Sequence, residues 1–135
     1  MSDINLHDAL NKIDISADWI GLREVKESTT YRVIRDGNPQ ANFRDFSRGV
    51  MVEVLADGQF GYYGSRNLDA ESIQNGAKKA LIQAKAAGKN PICHFTENVR
   101  PATKGSFTSP FVKSVEEVDP GEASTVGRQA EILCQ

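Results

Sequence analysis

The spacing of apolar residues predicts three helices along the chain. In the first helix the apolar positions recur at helical spacing, at Leu6, Ala9, Leu10 and Ile13. Its expected N-cap is Asp3, and it ends before Ser16. The second starts after its N-cap Asp69 and ends at Ala87, with Gly88 as its expected C′ cap, and its stripe consists of Ile73, Ala77, Ala80, Leu81, Ala84 and Ala87. Because this stripe is mostly alanine, we expect the long helix Asp69 to Ala87 to lie close against a flat sheet.

Between these helices the apolar period shortens to two, which is typical of strands. Alternating runs extend from Asp18 to Leu55, and an aromatic and glycine strand follows at residues 60–64. The motifs Asp36-Gly37-Asn38-Pro39 and Asp57-Gly58 predict tight turns. The pattern therefore predicts an α/β fold of the α+β type: an antiparallel meander of four or five strands, covered by the long helix, with the short N-terminal helix at one edge or end.

The remainder of the chain reads as a connector followed by a third helix. Residues 91–118 are rich in Pro, Ser and Thr, with one short strand expected at Gly105 to Val112. Asp119 is the expected N-cap of the last helix, whose stripe contains Ala123, Val126, Ala130 and Leu133. We therefore divide the chain into a domain at 1–90, a connector at 91–118 and a helix start at 119–135. A stripe without a partner favours a fragment of a longer protein, and an orphan domain is the alternative.

Composition and charge narrow the class of protein. The 135 residues suit one domain, and 16 basic against 18 acidic residues give a net charge of -2, so a nucleic-acid partner is not expected. No apolar run reaches the roughly 18 residues of a membrane span, and the N-terminus does not resemble a signal peptide. We expect a cytoplasmic protein without a membrane partner. Cys93 and Cys134 are too few for a disulfide framework and are expected to be reduced.

Candidates for metal binding or nucleophilic catalysis are few. The two histidines, His7 and His94, are far apart in sequence, and the adjacent Cys93 and His94 would face opposite sides of a strand. The chain has no H-E-x-x-H, G-x-S-x-G, C-x-x-C or P-loop motif. We therefore expect no catalytic, cofactor-binding or metal-binding residue in this chain.

Three clusters of side chains have a functional and a structural interpretation. Acidic residues before the last helix could bind a cation or act in acid–base chemistry, and a solvated loop with a helix cap is favoured. Lysines on the long helix could contact phosphate, and a solvated face is favoured. Aromatic residues of the last strand could stack on bases, and sheet core or a subunit contact is favoured. The clusters are Glu116, Glu117 and Asp119; Lys78, Lys79, Lys85 and Lys89; and Phe60, Tyr62 and Tyr63.

The order of these parts from Ala17 to Ala87 resembles the N-terminal domain of TldD/PmbA proteins, also called the modulator of DNA gyrase family. The resemblance rests on the order and spacing of four features: a strand that ends in a D-G turn, the Ser-Arg-Gly-Val step that starts at Ser47, the aromatic and glycine strand, and the helix start Leu68-Asp69. The later segment SPFVKSVEEVDPGE is similar to the family's connector into its next helix.

The resemblance implies an activity and a zinc motif that this sequence does not itself contain. Such proteins are cytosolic metallopeptidases that work as homodimers or as heterodimers with a paralogous subunit, and they act on flexible peptides or small proteins. Their zinc is held by an H-E-x-x-x-H motif C-terminal to the aligned region, and no residue here matches it, so no zinc is expected in this chain. The resemblance implies a non-catalytic N-terminal domain that supplies scaffold, subunit contacts and a wall of the peptide channel. The alternative is a non-enzymatic module that binds a protein such as gyrase or an antitoxin.

Overall fold

The computed structural model describes residues 4–133, so the predicted cap Asp3 and the cysteine Cys134 lie outside the described residues. The described part contains three strands in one sheet of order β1-β2-β3, with three α-helices and two short 3₁₀ helices. Their bounds are α1 Leu6–Asn11, β1 Trp19–Arg35, β2 Asn38–Ala56, β3 Gln59–Ser65, α2 Ala70–Gly88, 3₁₀ helices at Glu97–Val99 and Val115–Glu117, and α3 Pro120–Leu133. The fold is α+β, as the sequence predicts.

The sheet differs from the prediction in its number of strands. Within residues 4–133 there are three strands instead of four or five, because β1 has 17 residues and β2 has 19, and each contains segments that the sequence analysis separated. No Gly, Pro, Asn or Asp stands between Leu22 and Tyr31, so nothing in the backbone ends β1 there. A polar stretch exposed on both faces can continue a strand as long as its backbone is paired.

Both predicted turns are confirmed as two-residue hairpin loops. Asp36 and Gly37 have φ values of 52° and 71°, and Asp57 and Gly58 have 53° and 70°. Two successive residues at positive φ are the signature of a type I′ turn, whose twist matches that of the flanking strands. The second turn sets the antiparallel register of β2 and β3, which pairs Glu53 with Tyr62.

The described residues divide into two compact units. The first contains the chain up to Lys26 together with Ser47–Thr103, and the second contains Glu27–Phe46 together with the chain from Lys104 onward. Strands β1 and β2 each contribute residues to both units. The division into segments 1–90, 91–118 and 119–135 stays a prediction.

The core of the first unit lies between the sheet and the two helices α1 and α2. It is formed by Ala9 of α1, by Val50, Val52 and Val54 of β2, and by Ile73, Ala77 and Ala80 of α2. Ala80 and Ala84 are completely buried, and a side chain at Gly61 of β3 would collide with the carbonyl oxygen of Ala80. The alanine stripe therefore allows α2 to approach β3 as closely as predicted.

One predicted helix end is confirmed, and two helix ends differ from the prediction. Asp69 caps α2 as predicted, accepting a hydrogen bond of 2.7 Å from the backbone N–H of Ser72. Gly88 is the last residue of α2 and not the residue beyond it, and it lies close to Asp57 of the β2–β3 turn, where a side chain would be crowded. Asn5 caps α1, where Asp3 was expected; the Asn5 side chain accepts from the N–H groups of His7 and Asp8.

The second unit contains the distal part of the β1–β2 hairpin and α3. The rings of Tyr31 and Phe43 stack at 4.9 Å between centroids. Gly127 of α3 lies so close to Ile34 that a Cβ there would be 2.7 Å from the Ile34 Cδ1 atom. The helix begins at Pro120 after Asp119, as the sequence predicts.

The predicted strand at Gly105 to Val112 is wrong. Residues 105–112 contain no strand and are exposed, including the side chains of Phe107, Phe111 and Val112. A strand needs a neighbour to pair with, and Pro110 cannot donate a backbone hydrogen bond. The alternation of apolar residues in this segment was therefore not sufficient evidence for a strand.

Candidate functional site

The sheet face opposite α2 carries a cluster of aromatic side chains. Phe60 is its centre: its ring lies 6.1 Å from that of Trp19 and 6.1 Å from that of Tyr62, and 5.5 Å from that of Phe95. We call Trp19, Phe60, Tyr62 and Phe95 the aromatic cluster. Its members come from β1, from β3 and from the segment after α2, so the cluster joins three parts of the first unit.

A buried carboxylate lies beside the aromatic cluster. Glu53 is the only charged residue that is buried among those whose burial the structure describes. It forms ion pairs with Arg23, at 3.4 Å, and with Arg100. The Arg100 guanidinium also lies over the rings of Phe60 and Tyr62, at 4.9 and 5.8 Å from their centroids. Burial of the Glu53 charge is therefore compensated by two cations, one of which also makes cation–π contacts.

The segment after α2 is fixed to this face of the sheet. The Phe95 N–H donates to the carbonyl oxygen of Gly58 at 2.9 Å, and the Gln59 side chain donates to the carbonyl oxygen of Cys93. The His94 ring lies against Gly58, where any side chain would collide with it. Together with Arg100, these contacts hold the beginning of the predicted connector on the sheet.

Glu53, Phe95 and Arg100 were missed by the sequence analysis. A signal for Glu53 was present, because it interrupts the otherwise apolar run from Val50 to Ala56. A carboxylate in a strand of this kind needs a cation when it is buried. The sequence offers several arginines and does not say which one the fold brings near.

The predicted metal candidates remain separate in the fold. Cys93 is a free, exposed thiol and His94 is exposed; His7 is exposed on α1, where its Nε2 atom lies 3.5 Å from the Asn11 side chain. Within the described residues no three His, Cys, Asp or Glu side chains form a group that could hold a metal ion. In the described part of the chain, His7, Cys93 and His94 therefore do not form a common metal site.

The acidic and basic candidate clusters have mainly local contacts. The Asp119 carboxylate caps α3 by accepting from the N–H groups of Gly121 and Glu122 at 2.9 and 3.0 Å, and the Glu116 N–H bonds the Ser114 hydroxyl. Lys79 lies over the ring of Tyr63 at 4.8 Å and donates to its hydroxyl at 3.3 Å. The other three lysines, Lys78, Lys85 and Lys89, are exposed.

The aromatic residues of β3 divide between the two faces of the sheet. Tyr62 and Phe60 belong to the aromatic cluster, whereas Tyr63 pairs with Val52 and packs against the core under α2. Tyr63 thus has the core position that the sequence analysis favoured. Tyr62 remains 42% exposed, so part of the aromatic cluster is accessible from solvent.

The geometry of the first unit is that of a small α+β domain, with α1 and α2 on one face of the sheet and an extended segment on the other. Residues 21–84 match the family model described as PmbA/TldA metallopeptidase domain 1. Residues 21–84 are thus similar to the first domain of the TldD/PmbA metallopeptidases. Comparisons with curated proteins and with solved structures gave no significant match. None of the helices in the described part of the chain has the length and apolar character needed to cross a membrane.

Proposed function

We propose that this chain is the non-catalytic first domain of a TldD/PmbA metallopeptidase that acts on flexible peptides. The observation that carries the proposal is the match of residues 21–84 to the first domain of that family. In this proposal the sheet and α2 form a scaffold, and the exposed part of the domain contributes subunit contacts and one wall of a peptide channel.

The proposal extends to the setting in which the domain works. We propose a cytoplasmic protein that forms a homodimer or pairs with a paralogous subunit, and a zinc ion bound by an H-E-x-x-x-H motif elsewhere in the assembly. The substrates would be peptides or small proteins that reach the channel in extended form. Neither nucleic acid nor membrane is a partner in this proposal, which the charge of -2 supports.

The test compares the 135-residue chain alone with the same chain co-purified with a family subunit that carries the H-E-x-x-x-H motif. Zinc is measured after dialysis, and cleavage of an unstructured peptide is followed by mass spectrometry. We expect zinc and cleavage only when the second subunit is present. One tightly held zinc in the isolated chain, lost in His94→Ala, would contradict the proposal. Stable binding to the subunit without cleavage in any combination would favour the protein-binding alternative.

A further inference from the structure

The guanidinium of Arg100 lies against three side chains that the sheet brings together. Glu53 of β2 and Tyr62 of β3 are directly opposite each other in the antiparallel register, so the carboxylate and the ring are neighbours on one face. The Phe60 ring lies beside that of Tyr62, with 6.1 Å between the centroids and 26° between the planes. We call Glu53, Phe60 and Tyr62 the carboxylate–aromatic site.

The chemistry of this site matches a guanidinium better than an ammonium group. A guanidinium is planar, so its edge donates hydrogen bonds to a carboxylate while its face stacks on aromatic rings. Arg100 does both: its Nη1 atom pairs with Oε2 of Glu53, and its Cζ atom lies 4.9 Å from the Phe60 centroid and 5.8 Å from that of Tyr62. A lysine at this place would keep the charge and lose the planar stacking.

The carboxylate–aromatic site has supports besides Arg100. The Glu53 side chain is only 10% exposed, and its Oε1 atom pairs with Arg23 at 3.4 Å. The Phe60 ring meets the Trp19 ring edge-on, at 6.1 Å between centroids. Because a buried carboxylate costs free energy that a nearby cation offsets, the site still favours a second cation when Arg100 leaves it.

Arg100 belongs to a segment that is attached to the first unit at its other end. The Phe95 N–H donates to the carbonyl oxygen of Gly58 in the β2–β3 turn, at 2.9 Å. The N–H groups of Val99 and Arg100, in contrast, donate to carbonyl oxygens within the segment itself. The Arg100 side chain is 41% exposed, and residues 101–113 that follow it are exposed. Arg100 can therefore leave by a local opening that keeps the sheet and Phe95 in place.

We propose that the carboxylate–aromatic site is a binding site for a guanidinium group, which Arg100 occupies in cis and which an arginine from another molecule enters when Arg100 leaves. The ligand class is a planar cation, and the arginine side chain of a polypeptide and a small guanidino compound share this group. Arg100 is a competitor within the chain that keeps weak ligands out. The site requires neither the peptide channel nor zinc, so the inference goes beyond the proposed function.

The experiment uses the complete 135-residue chain and N-acetyl-arginine amide, with the amide chemical shifts of Phe60 and Tyr62 followed by NMR during titration. Arg100→Ala opens the site. We expect its Kd to be at least about tenfold lower than that of the unchanged chain, because the site accepts a competitor only in the fraction of chains in which Arg100 has left it. Arg66→Ala removes an exposed arginine after β3 and is the matched control, whose Kd should equal that of the unchanged chain.

Two variants in the Arg100→Ala background test the chemistry of the site. Glu53→Gln removes the carboxylate charge and should abolish measurable binding. Tyr62→Leu removes one ring and should raise the Kd about threefold to fivefold, since a cation–π contact is lost. Tyr62 is 42% exposed, so this second variant tests the site even where Glu53→Gln does not fold.

Two further ligands test which cation the site selects. N-acetyl-lysine amide carries the same charge without the planar group and should bind Arg100→Ala more weakly than the arginine compound. Free arginine distinguishes the two sources of a guanidinium: tighter binding of the free amino acid indicates a small guanidino compound, and tighter binding of the capped form indicates an arginine within a polypeptide.

Equal affinity of the unchanged chain and Arg100→Ala for N-acetyl-arginine amide would mean that the ligand binds elsewhere, and would overturn the proposal. Equal binding of the lysine and arginine compounds, or no binding to Arg100→Ala, would overturn it as well. Where Arg100→Ala does not fold, Arg100→Gln keeps a long polar side chain, vacates the position of the guanidinium and gives the same comparison.

Discussion

At the scale of single residues, the most informative group is Glu53 with its two arginines. A buried carboxylate costs free energy unless cations and hydrogen bonds compensate for it. Arg100 makes this compensation and also stacks on Phe60 and Tyr62, so one side chain joins the segment after α2 to the sheet. The contacts of Arg100 therefore help to hold this segment on the sheet.

We expect Arg100→Ala to lower the free energy of unfolding by about 1–3 kcal/mol, because Glu53 would keep only the longer contact to Arg23 while remaining largely buried. Urea denaturation followed by circular dichroism measures the change. Arg66→Ala, which removes an exposed arginine after β3, serves as the control and should leave the midpoint within about 0.5 kcal/mol. Equal midpoints for both variants would mean that Arg100 does not stabilise the buried carboxylate.

Asp69 provides a prediction about pH. Hydrogen bonds from the backbone and side chain of Ser72 lower the pKa of the Asp69 carboxyl below its ordinary value of 3.8. The folded state therefore favours the ionised form, so its contribution to stability is present above pH 3.8 and is lost as the pH falls through the lower folded-state pKa. Asp69→Asn keeps a capping oxygen and should make unfolding less dependent on pH in this acid range. Carboxyl chemical shifts measured by NMR against pH check the direction of the pKa change.

At the scale of elements, the close contact of α2 with β3 depends on small side chains on both partners. Ala80 and Ala84 are completely buried, and Gly61 has no space for a Cβ. Interiors packed at this density do not accept added methyl groups without movement of the backbone. The alanine stripe therefore reflects the short distance between α2 and the sheet, and not only the high helix propensity of alanine.

Ala80→Leu is expected to lower the free energy of unfolding by about 1–3 kcal/mol, since the larger side chain must separate α2 from β3. Ala86→Leu adds the same atoms on an exposed side of the same helix and should change stability little. Chemical denaturation of both variants gives the comparison. If Ala80→Leu unfolds at the same denaturant concentration as Ala86→Leu, the predicted overpacking is absent.

The elements also show how far the sequence alone could be interpreted. Local signals were sufficient for α2, for the cap Asp69 and for the two hairpin turns, because each depends on residues close together in sequence. The number of strands could not be predicted from local signals, because β1 continues through a polar stretch where β2 pairs with it. The contacts of Arg100 with Glu53 connect residues 47 positions apart, and no spacing rule predicts such a pair.

At the scale of the whole molecule, apolar side chains remain exposed in the second unit. On α3, Val126 is 60% and Leu133 is 87% exposed, whereas Ala123 and Gly127 are half-buried. The helix thus places Gly127 against Ile34 and leaves the larger residues of its predicted stripe, Val126 and Leu133, in solvent. Exposed apolar surface of this kind is typical of contacts with another chain. This favours the predicted association, which stays a prediction.

We expect the chain to associate with itself or with a C-terminal part of the family protein through the exposed stripe of α3. Sedimentation velocity at several concentrations would detect this as a sedimentation coefficient that rises with concentration. Val126→Asp places a charge in the contact and should raise the dissociation constant by about tenfold or more, equal to about 1.4 kcal/mol. Thr125→Asp adds the same charge at an exposed polar position of α3 and should leave the association unchanged. A chain that stays monomeric at all concentrations, alone and with the C-terminal part, would mean that this stripe is not an interface. An equal effect of both substitutions would mean that net charge, and not the apolar contact of Val126, controls the association.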